Sequence, residues 1–190
     1  IPSFDHHDLL KGILISMGGA RESHSLFVLN SMGFVVRVIR PPALDGSTVP
    51  NKVCSNTLIH KKAIEFIGTQ RAKLSTDWRN WIWVFEDDIA IHPDATPLII
   101  TNSIIEFMEF AQWNNTQYQN RVVYLGGCTI QPLQVATILS TGVDVSLSCY
   151  LCLHAYGLYT SFAPTFLSEL KQDSNPPIFN TCDPQQKERQ

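Results

Sequence analysis

The sequence predicts an α/β fold, with a mostly parallel central sheet flanked by helices. Three observations carry that prediction. Two short apolar runs, Gly12-Ile-Leu-Ile-Ser16 and Phe34–Ile39, bracket a segment with helical spacing, which makes a β-turn-α-β opening. Trp81 to Phe85 is five apolar residues in a row, as suits a strand buried on both faces of a parallel sheet. That strand runs directly into Glu86-Asp87-Asp88, and open α/β sheets collect ligands outside the carboxyl ends of their strands.

Each element follows from local signals. Residues 1–10 read as a lead-in. After the first strand, Gly18-Gly19-Ala20-Arg21 forms a turn, and Glu22 to Met32 has helical spacing through Leu26, Leu29 and Met32, with Gly33 at the position of a C-terminal glycine. Phe34 to Ile39 is the second strand, stopped by Pro41-Pro42. Asp45 to Val53 reads as loop. Ser55 or Asn56 is placed to cap a helix running to Ile67, with Ile59, Ala63 and Ile67 on its apolar face, Gly68 closing it, and His60, Lys61 and Lys62 on its polar face. Thr96-Pro97 supplies an N-cap and a first-turn proline for a helix to about Trp113. Arg121 to Leu125 is a further buried strand ended by Gly126-Gly127. Alternation through Val145, Leu147, Cys149, Leu151 and Leu153 predicts a half-buried strand within Val143–Tyr156. Phe162 to Lys171 reads as a last helix, capped by Thr160 or Ser161, and 172–190 as a loose tail.

Bulk properties narrow the function classes. A chain of 190 residues supports one hydrophobic core, so a single domain is expected. Hydrophobic residues at 44% and charged residues at 16% exclude disordered and fibrous classes. A net charge of -3 offers no basic field for a nucleic-acid backbone, so that partner is not expected. No stretch approaches the roughly 18–20 consecutive apolar residues of a transmembrane helix. The chain opens at Ile1 with no basic-then-apolar leader, so no signal peptide is read in it. The five cysteines are irregularly spaced. Cys149-Tyr-Leu-Cys152 has zinc half-site spacing without a second half, and also suits small apolar residues buried on a strand. Asn114-Asn115-Thr116 is a glycosylation acceptor pattern.

Three carboxylates at the end of the most apolar strand are costly unless something positive compensates them. A hard divalent cation, Mg²⁺ or Mn²⁺, prefers carboxylate oxygens and keeps positions open for phosphate. Glu86 and Asp88 point the same way and can share one site, leaving Asp87 for the sheet edge or a neighbouring loop. One of these acids could instead merely cap the following segment. In the turn after the first strand, glycine lets backbone N–H groups approach an anion and Arg21 can fork onto a phosphate; tight turns also use glycine for backbone reasons alone. His154 could complete a metal's coordination, contact a diphosphate, or hydrogen-bond within the core.

Together these pieces resemble family-25 glycosyltransferases, the group of lipooligosaccharide and procollagen galactosyltransferases. The matching segments are Ile13-Leu-Ile-Ser16 with Arg21, Cys54-Ser-Asn-Thr-Leu-Ile-His60, Trp83-Val-Phe-Glu-Asp-Asp88, Tyr124-Leu-Gly126 and His154-Ala-Tyr156 before the last helix. In the second of these, Ile59 stands where the family has serine before the histidine. The resemblance implies a GT-A type, Rossmann-like nucleotide-diphospho-sugar transferase fold. It implies Mn²⁺- or Mg²⁺-dependent transfer of a hexose, often galactose, from a UDP-sugar donor to a hydroxyl of a glycan or glycoprotein acceptor. It implies Glu86, Asp88 and His154 as metal ligands, and Ser16, Gly19, Arg21, His60, Glu86, Asp87 and His154 as nucleotide-sugar contacts. Asp87 and Asp144 are the expected catalytic carboxylates, with Asp173 and Asp183 as further candidates for the general base. A eukaryotic member would work in the Golgi or endoplasmic-reticulum lumen, any other in the cytoplasm.

Two other readings compete. A phosphoryl-transfer or phosphohydrolase domain also sets aspartates at strand ends around Mg²⁺, but it wants an aspartate directly after the first strand, where this chain has Ser16-Met17-Gly18-Gly19. A non-catalytic relative that binds a nucleotide-sugar would keep the donor residues and lack the base.

Overall fold

The computed structural model of the chain describes residues 10–41, 49–70, 80–113, 122–125, 134–147 and 154–172. Residues 1–9 of the lead-in, 173–190 of the tail, Asn114–Thr116, Gly126-Gly127, the cysteines at 128, 149, 152 and 182, and Asp173 and Asp183 lie outside the described residues, whereas Leu10 opens the first strand and Gln172 ends the last helix.

Among the described residues, seven strands and four helices follow in the order β1 (Leu10–Ile15), α1 (Ala20–Ser31), β2 (Phe34–Ile39), α2 (Val49–Gln70), β3 (Trp81–Glu86), α3 (Pro97–Trp113), β4 (Val123–Tyr124), β5 (Gln134–Ile138), β6 (Asp144–Leu147), β7 (Ala155–Tyr159) and α4 (Ala163–Gln172). Five strands form one sheet in the order β2-β1-β3-β7-β4, and β5-β6 is a separate hairpin. The pairings of β1 with β2 and β3 are parallel. Those of β7 with β3 and β4 are antiparallel. The chain is therefore α/β with a mixed sheet, where mostly parallel pairing was expected. The reason is the connection: a parallel neighbour needs a crossover, usually a helix, and among the described residues the segment between β4 and β7 holds only the β5-β6 hairpin.

Burial explains the central strands. β1 is buried throughout, and Trp81 to Phe85 of β3 are at most 2% exposed, as expected of a strand covered on both faces. Side chains alternate between those faces. Trp81 meets Phe107 of α3 edge-on at 5.5 Å, while Glu86 on the opposite face meets α2. Thr101 of α3 donates to the Met32 carbonyl at the end of α1, and Gly68 of α2 lies against Pro164 of α4. Helices α1 and α3 thus cover one face, α2 and α4 the other. Gly157 of β7 faces Trp83 across the pair, where a Cβ would stand 2.6 Å from the indole.

Several expected boundaries shift. Helix α2 starts at Val49, so Val49–Val53 is helix where loop was expected, and Ser55 and Asn56 lie inside it where they were expected to cap. Pro50 is tolerated because the N–H it lacks has no intrahelical partner in a first turn. Gly68 likewise falls within α2. Thr96 does cap α3, accepting from the Ile99 N–H at 3.2 Å. The Val143–Tyr156 segment contains β6 and the start of β7, which belong to different sheets. The hairpin partner β5 was not anticipated. Cys54 of α2 is disulfide-bonded. No helix among the described residues is long and apolar enough to cross a membrane.

Candidate functional site at the switch point of the sheet

The order β2-β1-β3 means the chain leaves β1 toward one side and returns to add β3 on the other. Ligands collect in the crevice that such a reversal opens at the carboxyl ends. Ser16 follows β1 there, and Glu86-Asp87-Asp88 ends β3 beside it.

Antiparallel register brings the third contributor. Phe85 pairs with Ala155, and the Glu86 N–H donates to the His154 carbonyl at 2.9 Å, so Glu86 and His154 are cross-strand neighbours. Their side chains share a face: His154 Nδ1 lies 2.6 Å from Glu86 Oε2 and 3.7 Å from Asp88 Oδ1. Glu86, Asp88 and His154 each offer a ligand atom within 4.8 Å of the others. Two carboxylates and an imidazole are a donor set that fits a divalent cation. The carboxylates suit Mg²⁺ or Mn²⁺, and the imidazole moves the preference from Mg²⁺ toward Mn²⁺.

Glu86 is also gripped from α2. Asn56 and His60 stand four residues apart on one helix face. Asn56 Nδ2 donates to Glu86 Oε1 at 3.2 Å, and His60 Nε2 lies 3.0 Å from the same oxygen. On its other side His60 Nδ1 lies 3.1 Å from the Tyr156 hydroxyl. His60 is 3% exposed. It therefore belongs to the buried face of α2, where a solvated face beside Lys61 and Lys62 was expected. The His60 hydrogen bond, helped by Asn56 and His154, holds the Glu86 carboxyl down at about 2. Burial pushes the Tyr156 phenol up.

Asp87 faces the other way and holds the β1–α1 turn. Its Oδ2 accepts from Ser16 Oγ at 2.8 Å and from the Met17 N–H at 3.2 Å, while Ser16 Oγ accepts from the Gly18 N–H at 2.9 Å. The amides of Met17 and Gly18 are thus already engaged within the protein. Gly18 and Gly19 have φ of 96° and 80°, left-handed backbone that favours glycine, and Gly19 leads into α1. Arg21 is 68% exposed and stands 3.8 Å from Asp87 Oδ1, a loose pairing. Arg40, just past β2, forks onto Glu22 and donates to the Ser16 carbonyl at 3.1 Å.

The structure thus brings together Ser16, Arg21, His60, Glu86, Asp87, Asp88 and His154, with Gly19 in the adjoining turn. It does not join Asp144 to them. That residue opens β6, is exposed, and among the described residues makes no hydrogen bond or ion pair with the cluster. Sequence reasoning missed Asn56, Arg40 and the part played by Tyr156. The signal for Asn56 was its four-residue spacing from His60, and for Tyr156 the alternation that sets it on the same strand face as His154. No protein-family model matches the chain, and no curated protein matches its sequence.

Proposed function

We propose that this chain is a metal-dependent glycosyltransferase that moves a hexose such as galactose from a UDP-sugar to a hydroxyl of a glycan or protein acceptor. The α/β framework is then of the GT-A type, and the short motifs reflect a relationship to family-25 glycosyltransferases. One observation carries the reading: the donor atoms of Glu86, Asp88 and His154 converge within 4.8 Å at the sheet's switch point.

In this reading Glu86, Asp88 and His154 hold Mn²⁺ or Mg²⁺. When bound, the cation neutralises charge on the departing diphosphate. Asp87 holds the β1–α1 turn in the shape that receives the donor, through Ser16 Oγ and the Met17 amide. Arg21, largely exposed and loosely paired, is free to turn from Asp87 to a phosphate. The acceptor hydroxyl must still lose its proton to a base.

A second reading, a non-catalytic nucleotide-sugar-binding relative, is favoured by a specific observation. Glu86 and Asp87 are both engaged in internal hydrogen bonds, and Asp144 is not joined to the cluster. Calorimetric titration with UDP, with and without Mn²⁺, tests both readings. Mn²⁺-dependent UDP binding that Asp88→Ala abolishes is the expected result, and metal-independent or absent binding refutes them. Release of free UDP from a panel of UDP-sugars then separates enzyme from binder.

A further inference from the structure

Glu86 is approached from two sides, and the two sides differ. Oε1 faces α2, where it meets Asn56 Nδ2 and His60 Nε2. Oε2 faces His154, whose Nδ1 also lies 3.7 Å from Asp88 Oδ1. A carboxylate oxygen has about two lone-pair sites, so two donors fill Oε1. Oε2 is the one that can meet a ligand.

The donor on His60 follows from the group it faces. A carboxylate oxygen only accepts, so it is the Nε2–H of His60 that donates to Glu86 Oε1. The Tyr156 hydroxyl, fully buried, holds the opposite side of the ring at 3.1 Å from Nδ1. At 3% exposure His60 has little surface of its own for a solvent-borne ligand, and it reaches the crevice through the Glu86 carboxylate.

We propose that His60 and Tyr156 are positioning residues that lock the Glu86 carboxylate so that Oε2 alone is presented to a divalent cation shared with Asp88 and His154. The inference rests on the metal-binding reading above and assigns a task to two residues that are buried behind the Glu86 carboxylate. A glutamate held by two donors arrives at the site with its torsions already fixed, so less ordering is left to the binding step. Partners that orient a ligand from behind it are worth about 10–100-fold in metal affinity.

The test is a Mn²⁺ titration of the full chain, with free Mn²⁺ followed by electron paramagnetic resonance, beside a thermal melt of each variant. Wild type should bind one equivalent, and Asp88→Ala should lose it. His60→Leu should weaken binding by about 10–100-fold, and Tyr156→Phe by an amount near the lower end of that range. His60→Gln, whose amide nitrogen restores a donor to Oε1, should recover most of the loss. A merely structural role would lower the melting temperature of His60→Leu and His60→Gln alike and leave the Mn²⁺ affinity of the folded protein unchanged. If wild type binds Mn²⁺ and Asp88→Ala abolishes it while Tyr156→Phe and His60→Leu bind as wild type, the positioning role is overturned and the metal site stands. If wild type fails to bind, both fall. Tyr156→Phe keeps the ring packing, so the test survives if His60→Leu does not fold.

Discussion

Replacing Gly157 with alanine drives a methyl carbon into the indole of Trp83. An ideal Cβ at Gly157 would stand 2.6, 2.7 and 2.9 Å from three ring atoms, against 3.4 Å or more for ordinary contact, so the ring must retreat by roughly 0.8 Å. Trp83 has little room to do so. It is fully buried, and it stacks on Trp81, whose ring is itself held edge-on by Phe107 and Tyr159. Overpacking of a filled core costs about 1–3 kcal/mol. The smaller unfolded-state entropy of alanine returns about 0.4–1 kcal/mol. The net expectation is a loss of about 1.3 kcal/mol, which for a chain of this size lowers Tm by about 3–5 °C. Urea denaturation of Gly157→Ala measures the loss, and Trp83→Phe in the same background should recover more than about 1 kcal/mol of it as coupling energy. A midpoint within about 0.5 kcal/mol of wild type, or strict additivity of the two changes, would refute the claim that this glycine exists to admit the indole.

Three more predictions follow from the site and its supports. The Glu86 carboxyl is held at about 2, below its ordinary 4.5, by hydrogen bonds led by that from His60. Its contribution to stability is complete above the unfolded value and is lost as pH falls from about 4.5 toward 2, so the stability gap between wild type and Glu86→Gln should narrow by about 1 kcal/mol between pH 6 and 3.5; a gap independent of pH would contradict this. Asp87→Ala strips the acceptor from the Ser16 hydroxyl and the Met17 amide, and amide exchange at Met17 should quicken about tenfold, with Asp87→Asn affected less. Unchanged exchange would mean that Asp87 does not hold the turn. Thr96→Ala should cost about 1 kcal/mol in denaturant unfolding through loss of the α3 cap, and a neutral result would deny the cap its role.

How far the sequence could be read depended on whether the determining contact was local. The strand Trp81–Phe85 was legible because five apolar residues admit few placements, and the Thr96-Pro97 start of α3 because a cap is a property of adjacent residues. The convergence of Glu86 with Asp88 was legible from strand alternation. The burial of His60 was not, because it depends on a carboxylate and a phenol from two other strands, 26 and 96 residues away. The early start of α2 was misjudged because Pro50 reads as a loop residue unless it falls in a first turn. The β5-β6 hairpin left a usable sign in Gly142, whose φ of 80° closes the turn, but the shift in register between Val135 and Thr137 disturbs the alternation that would mark β5. Strand direction was the least legible feature, since β7 carries the same apolar character either way round.

The position of β7 also constrains the order in which the chain can complete itself. Among the described residues it is the last strand in the chain, yet it lies inside the sheet, between β3 and β4. Until it emerges from the ribosome, β4 has no partner in that sheet, and the flank of β3 that β7 will cover stays open. β7 and the residue before it also deliver Tyr156 and His154 to the crevice. A nascent chain stopped before residue 154 would carry Glu86 and His60 facing an unpaired edge, so acquisition of the crevice and closure of the sheet are one event.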